Sequence, residues 1–309
     1  MRLSSLKLRW LRAGYTTAGI ALLSTAVLSG CATGTIKSHD ADAATITRTG
    51  SRITYKGVIT PEAVQRFEAL LTPEVDELEI TSPGGIILAG IAFGELVHAA
   101  NLDVTVPLYC SSACAQHVFP AGRRKRVADG ALLGWHGNVA ATVAEVWPIA
   151  RARLKDSPEV AVQAQTFVAE LGILADRESA FYHRLSLSTD AVAQLTQLSR
   201  KHGWRLWVGP PAKDWAFDYQ SASVALTRTA LEELGVSGIE RYWYPTSREE
   251  LEKVLRENPL AKALAFPDYA VRPRFCTAFA PAPAGSLVDI CIDAETSRLP
   301  PRPTSAATE

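Results

Sequence analysis

Residues 77–85 read ELEITSPGG, and this stretch decides the fold because a short strand runs there directly into a glycine turn. Alternating apolar positions predict a strand over 77–81, and Ser82-Pro83-Gly84-Gly85 predicts a tight turn. Apolar residues recur at helical spacing from Ile86 to Ala100, which predicts a helix packed on a sheet. The stretch therefore begins a strand–turn–helix unit.

The flanking sequence repeats this alternation of strand and helix. Two short strands are predicted within residues 46–59, with turns at Gly50 and Gly57, and Thr60 followed by Pro61 predicts the start of a helix. Further strands are predicted over 102–108 and 131–135, with a short helix between them. Such alternation indicates an α/β fold with a mostly parallel sheet and crossover helices.

The remainder of the chain is predicted to be an insert, the end of the domain and an extension. Residues 140–200 are predicted to be helical, in two or three pieces broken near Pro148 and Pro158, and a strand is predicted over 204–208. Thr227 and Gly235 predict the start and stop of another helix. The domain is placed at 46–245, with the helical insert at about 140–200. An extension at 246–309 holds a helix over 248–257, a cysteine pair and a Pro-rich tail predicted to be disordered.

The N-terminus is typical of an exported, lipid-anchored protein. Basic residues precede an apolar run over 13–27, which is shorter than the ~20 residues that a membrane-spanning helix needs. Residues 28–31 read LSGC and resemble a bacterial lipoprotein processing site, which implies a signal peptide over 1–30 and a lipid on Cys31. Residues 31–45 are predicted to be a flexible tether, and the non-acidic Ala32 implies the periplasmic face of the outer membrane. An ordinary secretory signal followed by a chance cysteine is the alternative.

Charge argues against nucleic acid as a partner. The chain has 32 basic and 32 acidic residues, and removal of the basic leader leaves an acidic protein, whereas nucleic-acid binding depends on neutralising phosphates. Residues 123–126 read RRKR and form the one basic cluster, which is predicted to be a solvated loop.

Cysteine usage is consistent with an oxidising compartment. Of the five cysteines, Cys31 is assigned to the lipid, and four remain as two close pairs. Local disulfides Cys110–Cys114 and Cys276–Cys291 are predicted, although four cysteines allow three connectivities. Neither a metal site nor a redox-active pair is predicted at residues 110–114, because zinc needs four donors and the spacing is not CxxC.

Two segments that follow predicted strands can carry chemistry, because ligands bind at the carboxyl edge of open α/β sheets. The Ser82-Pro-Gly-Gly85 turn presents backbone N–H groups at a helix start, and Ser112 lies where a strand gives way to a helix. Taken singly, each is more typical of an ordinary turn or helix cap.

The order and spacing of these residues along the chain change that interpretation. Ser112 lies 28 residues after Gly84 and 24 residues before His136, with Gly122 and Arg126 in between. This pattern resembles the proteolytic subunit of the Clp protease, over residues 52–137 and loosely over 221–238. The two cysteines around Ser112 are more similar to a secreted, Clp-like branch of that ClpP/crotonase superfamily.

The resemblance implies a role for each matching residue. Ser112 would be the nucleophile and His136 its general base. The N–H groups of Gly85 and Ala113, helped by Gly84, would form the oxyanion hole. A Cys110–Cys114 disulfide would clamp the nucleophile turn.

The third member of a catalytic triad departs from the family pattern. Ser223 stands at the position where the family has an acid, so Asp218 is taken as the candidate, with Asp214 a poorer one. No cofactor is implied. A homo-oligomer is compatible with the resemblance, although the insert at 140–200 is unlike the family's oligomer-building arm.

The expected function is a membrane-anchored envelope serine hydrolase that acts as a peptidase on peptides or unfolded segments. A non-catalytic binding module on the same fold is the alternative, because the acid is missing. An acyl-thioester enzyme of the crotonase type comes last, because coenzyme A is not expected outside the cytoplasm. His117 is predicted to be a packed histidine and His98 a surface residue.

Overall fold

The structure is a computed structural model, and it describes residues 44–153, 158–201, 204–208, 217–221, 223–258, 264–265 and 290–292. In chain order the strands are β1 Thr45–Thr49, β2 Arg52–Lys56, β3 Glu77–Thr81, β4 Asp103–Val106, β5 Tyr109–Ser111, β6 Lys125–Val127, β7 Leu132–Gly134, β8 Trp204–Val208, β9 Phe217–Ser221, β10 Ser223–Val224, β11 Ile239–Arg241, β12 Leu264–Ala265 and β13 Ile290–Ile292. The helices are α1 Pro61–Leu70, α2 Ile87–Ala99, α3 Phe119–Ala121, α4 Val139–Arg153, α5 Pro158–Arg184, α6 Thr189–Lys201, α7 Arg228–Glu233 and α8 Arg248–Glu257.

The main sheet has six strands in the order β1-β2-β3-β4-β6-β11. Only the β1–β2 pair is antiparallel, and the other neighbours run parallel. The predicted α/β fold with a mostly parallel sheet and crossover helices is therefore confirmed. Parallel strands place their carboxyl ends at one edge, which is where β3 reaches the glycine turn.

Helices α1 and α2 cover the sheet with apolar side chains. Thr60 caps α1 as predicted, because its Oγ1 accepts the N–H of Ala63 at 3.2 Å. The ring of Phe93 in α2 packs against Phe67 of α1 and Tyr55 of β2, with centroids 4.4 and 5.1 Å apart. This packing fixes the helix that begins immediately after Gly85 and Ile86.

A smaller set of strand pairs lies across the edge where the parallel strands of the main sheet end. Strands β5 and β7 pair in parallel, as do β10 and β12. Isolated bridges join Ser82 to Cys110 and Trp135 to Val224. These contacts bring the glycine turn, the segment after β5 and the segment after β7 together.

The sequence places one strand where the structure has two. The predicted strand over 102–108 ends as β4 at Val106, and β5 begins at Tyr109. Pro107 lies between them, and a residue without an N–H cannot continue a ladder in the interior of a sheet. The chain changes from the main sheet to the smaller one at this point.

The basic cluster over 123–126 is not the solvated loop that the sequence predicts. Lys125 begins β6 and is 2% exposed, and its Nζ donates to the carbonyl of Ser237 at 2.6 Å. Arg123 and Arg124 donate to the two carboxylate oxygens of Asp103, each at 2.8 Å. The cluster joins strands at the edge opposite the glycine turn.

The insert is helical as predicted, in the three helices α4, α5 and α6. Pro148 lies inside α4 rather than ending it. A proline removes one helical hydrogen bond and favours a kink, but the helix continues through it where packing holds both sides in place. No helix among the described residues is long and apolar enough to cross a membrane. The predicted domain bounds stay predictions.

Candidate active site

Ser112 occupies a sharp turn between β5 and the next helical segment. Its φ is +53°, a left-handed conformation that is uncommon for a residue other than glycine. Its N–H donates to the carbonyl of Gly134 at 2.9 Å, and the residue is 5% exposed. A π-helical segment, Cys114–Val118, begins two residues later and runs into α3.

His136 follows β7 and meets Ser112 directly. Ser112 Oγ and His136 Nε2 are 2.9 Å apart, which is hydrogen-bonding distance. Because Trp135 pairs with Val224 through both backbone hydrogen bonds, the residue before the histidine is held in the smaller sheet. A neutral imidazole with its proton on Nδ1 accepts the Ser112 hydroxyl proton in this arrangement.

Burial controls the charge state of His136. It lowers the pKa of the imidazole to about 4, because a charged ring loses its hydration there. The negative charge of Glu178 and a backbone hydrogen bond act in the opposite direction and raise the pKa. His136 is therefore neutral at pH 7 and able to accept a proton.

Gly84 lets the two turns approach each other closely. Its φ is +100°, and a Cβ at this position would lie 2.6 Å from both Ser111 O and Ser112 Cβ. Its carbonyl accepts the N–H of Ile59 at 2.8 Å. Only glycine fits both this conformation and this spacing.

The three N–H groups expected to form an oxyanion hole differ in their hydrogen bonds. The N–H of Gly84 donates to Ser82 Oγ at 3.1 Å within the turn, and its assistance to the oxyanion hole stays a prediction. The N–H groups of Gly85 and Ala113 have no acceptor among the described residues. They lie beside Ser112, on the glycine turn and on the next residue of the chain. Two donors are therefore available for an oxyanion.

A disulfide encloses the Ser112 turn as predicted. The Sγ atoms of Cys110 and Cys114 are bonded, with Cα atoms 5.3 Å apart, and both residues are 0% exposed. Cys110 belongs to β5 and Cys114 begins the π-helical segment. The predicted Cys276–Cys291 pairing and the lipid site Cys31 lie outside the residues whose side chains the structure describes.

The third triad member stays a prediction. Ser223 is buried, and its Oγ accepts from Ser111 Oγ at 3.3 Å, so its hydroxyl contacts the residue before Ser112. Asp218 lies on β9, whose backbone pairs it with Trp207, but its side chain is outside the described part of the chain, as is all of Asp214.

Sequence reasoning missed a buried acid next to this site. Glu178 of α5 is 2% exposed, and its Oε1 accepts from His117 Nε2 at 2.9 Å. His117 is 1% exposed, as its prediction as a packed histidine implies. An available signal was the position of Glu178 on the face of α5 that carries Leu174, Phe181 and Tyr182, where an acid is out of place unless it is paired.

Comparisons with known proteins add similarity at a low level. No protein-family model matches the chain, and no curated protein matches it. Similar solved structures include an enoyl-CoA hydratase from Polaromonas, with 11% identity, 29% of this chain and 50% of that chain covered, and a TM-score of 0.23. An enoyl-CoA hydratase from Mycobacterium avium subsp. paratuberculosis is 15% identical, with 50% of this chain and 95% of that chain covered and a TM-score of 0.27. A methylmalonyl CoA decarboxylase is 8% identical, with 51% of this chain and 88% of that chain covered and a TM-score of 0.26.

The matched region spans half the length of the Polaromonas protein. TM-scores this low carry no conclusion about activity, and the fold assignment stands on the strand order.

Proposed function

We propose that the chain is a serine hydrolase in which Ser112 and His136 form the catalytic pair. The observation that carries this proposal is the 2.9 Å distance between Ser112 Oγ and His136 Nε2, combined with the left-handed backbone of Ser112. Such a turn directs the hydroxyl away from the strand ladder at the end of a strand, as nucleophile turns do.

The arrangement supports acyl transfer in two steps, acylation of Ser112 and hydrolysis of the resulting ester. Ser112 Oγ attacks the substrate carbonyl while its proton passes to His136 Nε2, and the oxyanion accepts hydrogen bonds from the N–H groups of Gly85 and Ala113. His136 then protonates the leaving group, which departs and leaves an ester on Ser112. Water, deprotonated by His136, hydrolyses that ester and restores the hydroxyl.

The substrate class and the location are part of the same proposal. The likeness of residues 80–136 to the Clp proteolytic subunit favours peptides or unfolded segments as substrates. The Cys110–Cys114 disulfide supports an oxidising compartment, and the LSGC sequence at 28–31 supports a lipid anchor on Cys31. The protein would then act at the periplasmic face of the outer membrane, with a homo-oligomer as a possible assembly.

Hydrolysis assays test the activity. Full-length protein in detergent is assayed against an activated ester panel and a fluorogenic peptide library, together with S112A and S51A. Ser51 is an exposed turn residue, so S51A is the matched serine control. Activity retained in S51A and lost in S112A supports the proposal, whereas equal activity in S112A and the wild type rejects it.

Mass spectrometry of the processed N-terminus tests the lipid anchor. A lipid on Cys31 supports the anchor, and an unmodified Cys31 rejects it.

A binding module is the second candidate, and two observations favour it. Ser112 is 5% exposed, and the lowered pKa of His136 makes it a weak base. A site of this kind holds an extended peptide without cleaving it. Binding of a library peptide to both wild type and S112A, with no hydrolysis by either, would select this function.

A further inference from the structure

Three hydrogen-bond donors converge on the buried carboxylate of Glu178. His117 Nε2 donates to Oε1 at 2.9 Å, and the Tyr182 hydroxyl donates to the same oxygen at 3.2 Å. The backbone N–H of Val139 donates to Oε2 at 2.7 Å. A buried carboxylate is tolerated only when its oxygens are satisfied in this way.

The donors come from both halves of the candidate active site. His117 lies in the π-helical segment that follows Ser112, and Val139 begins α4 directly after His136, Gly137 and Asn138. Glu178 therefore links the segment that carries the nucleophile to the segment that carries the base, with one carboxylate oxygen on each.

A second link runs parallel to the first. The Nε2 group of Gln116 donates to the carbonyl of Gly137, the residue after His136, and lies 3.5 Å from the Tyr182 hydroxyl. The ring of Tyr182 stacks on His117, with centroids 5.8 Å apart. Helix α5 of the insert contributes Glu178 and Tyr182, and the π-helical segment contributes Gln116 and His117, to one polar cluster that joins both catalytic segments.

Electrostatics adds a second effect of the same carboxylate. The charge of Glu178 raises the pKa of His136 against the effect of burial, so it stabilises the imidazolium that forms during catalysis. Other titratable groups that face Glu178 are His117 and Tyr182, and burial raises the pKa of Tyr182, which keeps the phenol neutral. Arg177 and Arg184 of α5 pair instead with Glu95 of α2.

We propose that Glu178 is the positioning residue of this site, holding the Ser112 segment and the His136 segment in register and supplying the negative charge that the aligned Ser223 lacks. This proposal rests on the proposed hydrolase function. It assigns the helical insert a part in the reaction, because the insert is the element that supplies the carboxylate.

Two substitutions separate the charge of Glu178 from its reach. E178Q keeps the size and removes the charge, and E178D keeps the charge but is too short to contact both segments. E170Q is the matched control, because Glu170 is an exposed residue of the same helix. Each full-length variant is measured by the rate of fluorophosphonate labelling of Ser112 and by the pKa of His136 from an NMR titration, with folding checked by circular dichroism.

The expected results differ between the variants. E178Q lowers the pKa of His136 by about half a pH unit or more and slows labelling by about tenfold. E178D slows labelling to a similar extent and leaves the pKa of His136 near its wild-type value, and E170Q changes neither. If E178Q does not fold, E178D alone carries the test through its labelling rate.

Two outcomes overturn the proposal. In one, folded E178Q has the wild-type pKa of His136; in the other, E178D labels at the wild-type rate. Absence of labelling in wild-type protein is a different result: it rejects the hydrolase, while the NMR titration still decides whether Glu178 acts on His136.

Discussion

Ser112 is held in a conformation that its own backbone disfavours. A left-handed residue other than glycine costs about 1–2 kcal/mol, and the hydrogen bond from Ser112 N–H to Gly134 and the neighbouring disulfide oppose that cost. Strain of this kind is characteristic of functional sites. The benefit here is a hydroxyl directed at His136 rather than into the strand ladder.

Gly84 gives the sharpest prediction at the residue scale. We expect G84A to lower the free energy of unfolding by about 2–4 kcal/mol, because the new Cβ would meet Ser111 O and Ser112 Cβ at 2.6 Å. G130A is the matched control: Gly130 also has a positive φ but nothing within 4 Å of its Cβ, so a loss of about 1 kcal/mol is expected. Urea denaturation measures both, and equal losses would contradict the close approach.

The pH dependence of the site follows from His136. A pKa near 4 keeps the imidazole neutral at all pH values above about 5, whereas an ordinary histidine becomes protonated below about 6.5. Protonation removes the acceptor for the Ser112 proton, so the rate falls as the pH falls through the pKa. The rate of fluorophosphonate labelling is therefore expected to stay level from pH 7 to about 5 and to halve near pH 4. A midpoint near 6.5 would show that His136 is solvated.

Single residues also mark the limit of prediction from sequence. Ser112 and His136 were found because their spacing repeats a family pattern, and that spacing is encoded locally by two strand–turn units. Glu178 was not found because it lies 61 positions from His117, and their contact depends on how α5 packs. The hydrogen bond from the N–H of Gly84 to Ser82 Oγ was not predicted either, because the sequence does not specify how this turn closes.

At the scale of elements, the π-helical segment after Ser112 is braced at its start by the Cys110–Cys114 disulfide. The bond joins the middle residue of β5 to the first residue of that segment. Single π-helical turns are often found at functional sites, and here the turn brings Gln116 and His117 to the side of α5.

Removing this disulfide is expected to have a modest effect on stability and a larger one on the site. We expect C110A/C114A to lower the free energy of unfolding by about 2 kcal/mol. The effect is modest because the two cysteines are only four residues apart, so the disulfide closes a short loop and removes little entropy from the unfolded chain. Labelling of Ser112 should slow by about tenfold as its turn loosens. Urea denaturation and labelling rates measure the two effects, and wild-type values for both would show that the bond has no role in the turn.

Elements with strong local signals were predicted well. Strand β3 and helix α8 match their predicted ranges, and α7 begins after Thr227, whose Oγ1 caps it as expected. Errors occurred at prolines: Pro107 ends one strand and separates it from the next, whereas Pro148 does not end its helix. Whether a proline interrupts an element depends on its packing, which a local pattern does not contain.

At the scale of the whole molecule, two layers of pairing define where the site lies. The six-stranded sheet orients the glycine turn and α2, and the smaller pairings β5–β7 and β10–β12 hold the segments that carry Ser112 and His136 across its edge. The alternation of strand and helix predicts the first layer. The second layer consists of pairs between strands of two or three residues, which carry too little local pattern to be predicted.

The insert is integrated with this architecture rather than appended to it. Helix α5 packs on α2 and brings Glu178 into contact with the segments that follow Ser112 and His136. Helix α6 approaches Gly137 so closely that a Cβ there would overlap Thr196. The sequence predicts the helices of the insert but does not specify which residues the apolar face of α5 contacts. The contact between the insert and the candidate site is a property of the folded molecule.

Mapping of fluorophosphonate adducts on the full-length protein is the most direct test of the central claim, a working Ser112–His136 pair. Wild-type protein, S112A, H136A and H98A are labelled and digested, and the modified residue is identified by mass spectrometry; His98 is exposed and serves as the matched control. We predict one adduct, on Ser112, present in the wild type and H98A and lost in S112A and H136A. Folded wild-type protein without an adduct, or labelling that persists in H136A, would contradict the account.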